Sequence, residues 1–150
     1  MPHINKALLL LLVCFNVSAD TIDDQFNDAY VTITATLEVV NTLGQQCDHQ
    51  LNAYGAKGVQ SKECATYMKS HGDGGILYNV IEPCAVVSKW YRTKQSLIQS
   101  NPNFSDTQPK EARTILKNMK WSHQVCPPKN PAGYEYIYKP MTKIKMLAAS

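Results

Sequence analysis

Cys64-Ala-Thr-Tyr-Met-Lys-Ser-His71-Gly-Asp-Gly-Gly75-Ile-Leu-Tyr-Asn-Val-Ile-Glu-Pro-Cys84 has a cysteine at each end, a helix-like apolar stripe on either side and a glycine-rich break in the middle. Cys47 lies upstream and Cys126 downstream, so each inner cysteine has an outer candidate partner. The helices between them can be tied into one unit. The pattern points to a scaffold rather than to catalysis.

Outward from this centre, the first nineteen residues read as a leader. Lys6 supplies a positive start, Ala7 to Phe15 is a nine-residue apolar run, and Val17-Ser18-Ala19 is the small-residue pattern of a signal-peptidase site. The run is too short for a membrane-spanning helix, which needs about 20 apolar residues. A lipoprotein signal would carry Gly, Ala or Ser before its cysteine, where Cys14 follows Val13. The reading is a signal peptide over 1–19, a helical domain over 20–126 and an extended C-terminal arm over 127–150, in a protein exported to the periplasm.

Cleavage after Ala19 leaves four cysteines, Cys47, Cys64, Cys84 and Cys126. An even number in an oxidising compartment reads as two disulfides, with three pairings open. In the chain-entropy model a Cys47–Cys64 bridge would contribute about 3 kcal/mol and a Cys84–Cys126 bridge about 4. Zinc would call for a paired CxxC, and the 16, 19 and 41 residues between successive cysteines contain none.

Charge is divided along the chain. Residues 20–48 carry six acids and no Lys or Arg, whereas residues 49–150 carry fourteen basic side chains against six acids. The two ends either lie against each other or present faces of opposite sign to a partner. Export argues against nucleic acid as that partner.

Helical periodicity dominates. Ile22, Phe26, Tyr30, Ile33, Leu37, Val40 and Leu43 are spaced by three and four, which predicts a helix ending at Gly44 despite its β-branched residues. A second helical stretch is expected from Gln46 to Tyr54, and a third after Ser61, whose hydroxyl is placed to cap it. The break at Gly72–Gly75 either ends that third helix or interrupts a longer one resuming at Ile76. Pro83 precedes a helix over 84–100 with Val87, Trp90, Tyr91, Leu97 and Ile98 on its apolar face. A further helix from Thr107, with Pro109 in its first turn, turns Ala112, Ile115, Leu116 and Met119 inward and Lys110, Arg113, Lys117 and Lys120 to solvent. Beyond Cys126, Pro127, Pro128, Pro131 and Gly133 predict irregular backbone, and Tyr134-Glu-Tyr136-Ile-Tyr138 alternates as a strand does. The last ten residues read as frayed or weakly helical. The fold expected is a small all-α, disulfide-bonded bundle of four or five helices with an extended arm.

Catalytic chemistry is poorly represented. Cys64 with His71, or Cys126 with His123, would make a nucleophile only as a free thiolate. His49, His71 and His123 lack the second His or carboxylate at i+4 that a helical metal site uses, and no GxSxG, HExxH or phosphate-binding loop is present. Neither enzyme activity, metal nor cofactor is expected. A binding function is, because a glycine-rich loop on a pinned base loses little entropy on docking.

Cys64-Ala-Thr-Tyr67, Cys84 opening a helix, Ser100-Asn-Pro102 closing it, and the Ala112–Met119 helix running to Cys126-Pro127 resemble the Tai/Rap family over residues 47–127. Its members are periplasmic helical immunity proteins against type VI secretion amidase effectors. The resemblance implies a disulfide-bonded, often homodimeric inhibitor that blocks the cleft of a peptidoglycan amidase and has no chemistry of its own. By position, His71, Gly72, Asp73, Gly74 and Gly75 become its candidate partner-binding element. The alternative is a periplasmic chaperone or small-ligand carrier on the same scaffold, which predicts an apolar cavity lined by Trp90 and Tyr91.

Overall fold

The computed structural model describes residues 21–126, 129 and 131–150. The leader assigned to 1–19, and Pro127 and Pro128 of the arm, lie outside them. Among the described residues the fold is all-α: α1 (Ile22–Tyr54), α2 (Lys62–His71), α3 (Ile81–Ser100), α4 (Phe104–Thr107), α5 (Pro109–Val125) and α6 (Lys139–Ala148). Five of these have ten residues or more, and α4 is a single turn. Short 3-10 turns occupy Gly55–Gln60, Ile76–Val80 and Glu135–Ile137.

Helix α1 is the spine, 33 residues long and therefore about 50 Å from end to end at 1.5 Å per residue. Its start is a capping box. The Thr21 hydroxyl accepts from the Asp24 amide at 3.1 Å, and the Asp24 carboxylate accepts from the Thr21 amide at 3.0 Å. Phe26, Ile33, Leu37 and Val40 of the expected stripe are buried, and Leu51 extends the same face. The helix does not end at Gly44. That glycine lies inside α1 and is buried, because the backbone of Tyr136 packs where its side chain would be. The expected stop and the separate helix from Gln46 are thus one continuous helix.

The Ser61 hydroxyl caps α2, accepting from the Cys64 amide at 3.2 Å. Cys64 and Tyr67 turn fully inward, and the Cys47–Cys64 disulfide, with 4.4 Å between Cα atoms, staples α2 to α1. The Ile76–Val80 turn runs straight into α3, which begins three residues before Cys84. Pro83 is in its first turn, where a proline nitrogen has no hydrogen-bonding duty. The second disulfide, Cys84–Cys126, joins the start of α3 to the end of α5, so these helices run antiparallel. Val87, Trp90, Ala112, Ile115 and Val125 fill the space between them and α1, while Leu116, expected inside, is exposed. Trp90 stacks on Phe26 at 4.1 Å between ring centroids, and Trp121 meets the same ring edge-on at 6.0 Å.

The C-terminal segment is not a strand. No strand occurs among the described residues for Tyr134–Tyr138 to pair with, so its backbone closes instead into the 3-10 turn and then α6. Ile137 and Pro140 are buried, and the segment folds back along its own α1. The Tyr136 amide donates to Asn41 Oδ1 at 2.9 Å, and Lys143 Nζ donates to the buried Asp48 carboxylate at 2.6 Å. The helix expected to fray is therefore anchored through an ion pair to a buried carboxylate.

Candidate functional site

The five residues singled out in the sequence divide into a fixed base and an exposed tip. His71 ends α2 and is half-buried. Its Nε2–H donates to the Ile137 carbonyl at 2.6 Å, since a carbonyl can only accept. The buried Tyr67 hydroxyl donates to the same oxygen at 2.7 Å and accepts from the Met141 amide at 3.3 Å. Both lone pairs of that carbonyl are thus used. Burial, with a smaller push from Tyr138, outweighs the Met141 amide and drives the Tyr67 phenol up to about 12, so it remains a donor. The Tyr138 ring packs edge-on against His71 at 5.5 Å. His71 is therefore a clasp between α2 and the C-terminal segment.

Gly75 completes the base. Its amide donates to the Gly72 carbonyl at 2.8 Å, and a side chain there would overlap the carbonyls of Lys69 and Ser70. Between them Gly72, Asp73 and Gly74 are exposed, with Gly74 at φ +70°, a conformation that favours glycine. The tip has a brace that the sequence did not reveal. The Tyr78 hydroxyl donates to Asp73 Oδ1 at 2.9 Å, and that bond, with the carboxylate's charge, raises the Tyr78 pKa.

Tyr78 also connects the tip to a groove of about 560 Å³ between α1 and the start of α3. Asp28, Ala29 and Thr32 form one wall, and Tyr78, Glu82, Pro83 and Val86 form the other. Tip and groove together present Asp73, Asp28 and Glu82. The acidic character of α1 was legible in the composition. Its meeting with Glu82 was not, because it depends on how the Ile76–Val80 turn lies across α1.

The other candidates separate. All four described cysteines are in disulfides, which leaves no thiolate beside His71 or His123. His49 lines a shallow hollow with Gln45, Gln46, Gln50 and Glu63, whereas His123 faces α3. Asp48 turns inward to Lys143, away from its neighbour His49. Among the described residues no group of three or more His, Cys, Asp or Glu side chains could hold a metal ion.

Fold and disulfides define an all-α domain pinned at two points, of the kind that matures in an oxidising compartment. No helix among the described residues is long and apolar enough to cross a membrane. Comparison with known proteins finds no matching family model, no matching curated protein and no matching solved structure.

Proposed function

We propose that this protein is a periplasmic immunity protein, exported through a cleaved signal peptide, that binds and inhibits a peptidoglycan-degrading amidase effector of type VI secretion. The supporting observation is the exposed Gly72-Asp73-Gly74 tip on an ordered base. His71 is tied to Ile137, Gly75 is closed onto Gly72, and the helix that carries the tip is stapled to α1 by Cys47–Cys64. A tip ordered before binding spends little conformational entropy on entering a cleft. Its carboxylate and the adjoining Asp28 and Glu82 complement a basic cleft rim in the partner.

The carrier alternative has less support. Trp90, expected to line its cavity, is 1% exposed, stacked on Phe26 and hydrogen-bonded to Asp23 at 2.8 Å. The two aromatics do not share one cavity: Trp90 lines a pocket of about 200 Å³ with Phe26, Lys94 and Ile115, and Tyr91 lines a separate cleft of about 240 Å³. The deciding experiment is a pull-down from periplasmic and culture-supernatant fractions with the mature, oxidised protein as bait. The expected result is recovery of a cell-wall hydrolase whose lytic activity is lost in the complex. Recovery of unfolded clients alone, or of a hydrolase that stays active when bound, would overturn the proposal.

A further inference from the structure

A second surface feature is built from other residues and does not depend on the inhibitor reading. Beside the Cys84–Cys126 bridge, α3 and α5 enclose a cleft of about 240 Å³. Val87 and the Cys126 half of the bridge supply its apolar lining, Ser88, Tyr91 and Arg92 come from α3, and His123 faces them from α5. Among the described residues none of the Ser88, Tyr91, Arg92 or His123 side chains has a hydrogen-bond or ion-pair partner. Ser122, by contrast, gives its hydroxyl proton to the Asn118 carbonyl at 2.7 Å.

No Asp or Glu lines the cleft, and Arg92 does. The sequence contains no Asp or Glu from Pro83 to Ser105 or from Ala112 to Tyr134. Of the cations on α3, Lys94 is neutralised by Asp23 at 2.7 Å, and Arg92 is not neutralised. Ser88 and Arg92 are four residues apart, share a helix face and both line the cleft. A guanidinium fork matches a carboxylate with two parallel hydrogen bonds. The volume is below the roughly 300–1,000 Å³ of sites that enclose a drug-sized ligand, so the cleft suits an end group.

We propose that this cleft binds the terminal carboxylate of a short peptide or acylated amino acid. Arg92 clamps the carboxylate, Ser88 and His123 donate to its outer lone pairs, and Val87 with the disulfide packs against the carbon behind it. A carboxylate carries apolar carbon directly behind its two oxygens, which suits that lining. A phosphate would bring a third charged oxygen against it and lose hydration without compensation.

The test is an NMR titration of the isotope-labelled, oxidised protein at constant ionic strength with N-acetyl-alanyl-alanine, its C-terminal amide and inorganic phosphate. The expected result is saturable shifts confined to Ser88, Arg92 and His123, with the amide binding roughly tenfold or more weakly than the acid. Arg92→Gln, on an exposed side chain, should keep the rest of the spectrum and reproduce that loss. Lys120→Gln, which removes a nearby exposed cation, should leave the affinity unchanged. Equal binding of acid and amide, phosphate binding as tightly as the acid, an equal loss in Lys120→Gln, or shifts absent from these residues would overturn the assignment.

Discussion

The Tyr136 carbonyl rests directly on the α-carbon of Gly44, so that a Cβ on Gly44 would overlap it. In an exposed helix interior, glycine to alanine gains about 0.8–1.0 kcal/mol. Here the sign reverses, because backbone rather than a flexible side chain is in the way. Gly44→Ala is expected to lower stability by about 1–3 kcal/mol, the usual range for overpacking. Urea denaturation would show the loss, and hydrogen exchange would show it concentrated in residues 134–147. Unchanged or increased stability would mean that the C-terminal segment does not pack on α1 as described.

Tyr67→Phe tests the other attachment of that segment. The substitution preserves the ring and removes the hydroxyl that donates to Ile137 and accepts from Met141. The Ile137 carbonyl keeps its bond from His71, whereas the Met141 amide loses its partner. The expected destabilisation is about 1–3 kcal/mol, the cost of leaving a buried polar group unsatisfied. His71→Ala leaves the carbonyl with the Tyr67 bond alone, and because His71 is less buried the effect should be smaller. Equal stability of Tyr67→Phe and wild type would show that the clasp carries no weight.

These two attachments explain where the sequence was informative and where it was not. The stripe from Phe26 to Val40, the Ser61 cap, Pro109 at a helix start and the four structural cysteines are local signals, set by periodicity or by chemistry within a turn. Gly44 predicts a stop because only its own propensity is visible locally. The reason it lies within a helix is a contact with Tyr136, far away along the chain. Tyr134–Tyr138 alternates like a strand, yet alternation fixes a strand only where another strand supplies hydrogen bonds. Of the candidate site, the glycine turn was legible. Its brace from Tyr78 and the clasp on Ile137 were not, since both are made by the tertiary fold.

Acid should loosen α6 through Asp48. Burial raises this carboxyl, and the Lys143 ammonium at 2.6 Å, with Lys139 and Asn52, outweighs burial and holds it below its ordinary 3.8. The folded value being the lower, the ion pair's stabilisation is fully present above pH 3.8 and is lost as pH falls through the folded value. Asp48→Asn should therefore lower stability at neutral pH by about 1.5–3 kcal/mol and make the acid limb of the stability curve shallower. Asp23 is lowered in the same sense, against its own burial, by Lys94 and Trp90, but its side chain is 55% exposed and screened by solvent. Asp23→Asn should flatten the acid limb less. An acid limb unchanged in Asp48→Asn would remove Asp48 from the account.

The two disulfides should differ in how they open. Cys47 and Cys64 are both fully buried, whereas Cys126 is partly exposed at the end of α5. A thiolate reagent needs access to a sulfur. With limiting reductant, Cys84–Cys126 is expected to open first in the native protein, and Cys47–Cys64 only as the molecule unfolds. Alkylation of the released thiols followed by mass spectrometry reads the order directly. Early release of Cys47 and Cys64 would contradict the packing of α2 on α1.

Asp73→Lys separates binding from folding at the tip. The carboxylate is exposed and its one described partner is the hydroxyl of Tyr78, itself 45% exposed, so stability should change by less than about 0.5 kcal/mol, as is usual for a surface site. The substitution reverses the charge at the point proposed to enter the amidase cleft and removes the brace that orders it. Affinity for the recovered hydrolase should fall by roughly a hundredfold or more, with the loss divided between slower association from the reversed charge and faster dissociation from the unbraced tip. Tyr78→Phe keeps the charge and removes only the brace, and should show mainly the faster dissociation. If both variants inhibit as well as the wild type, the inhibitory surface lies elsewhere on the bundle.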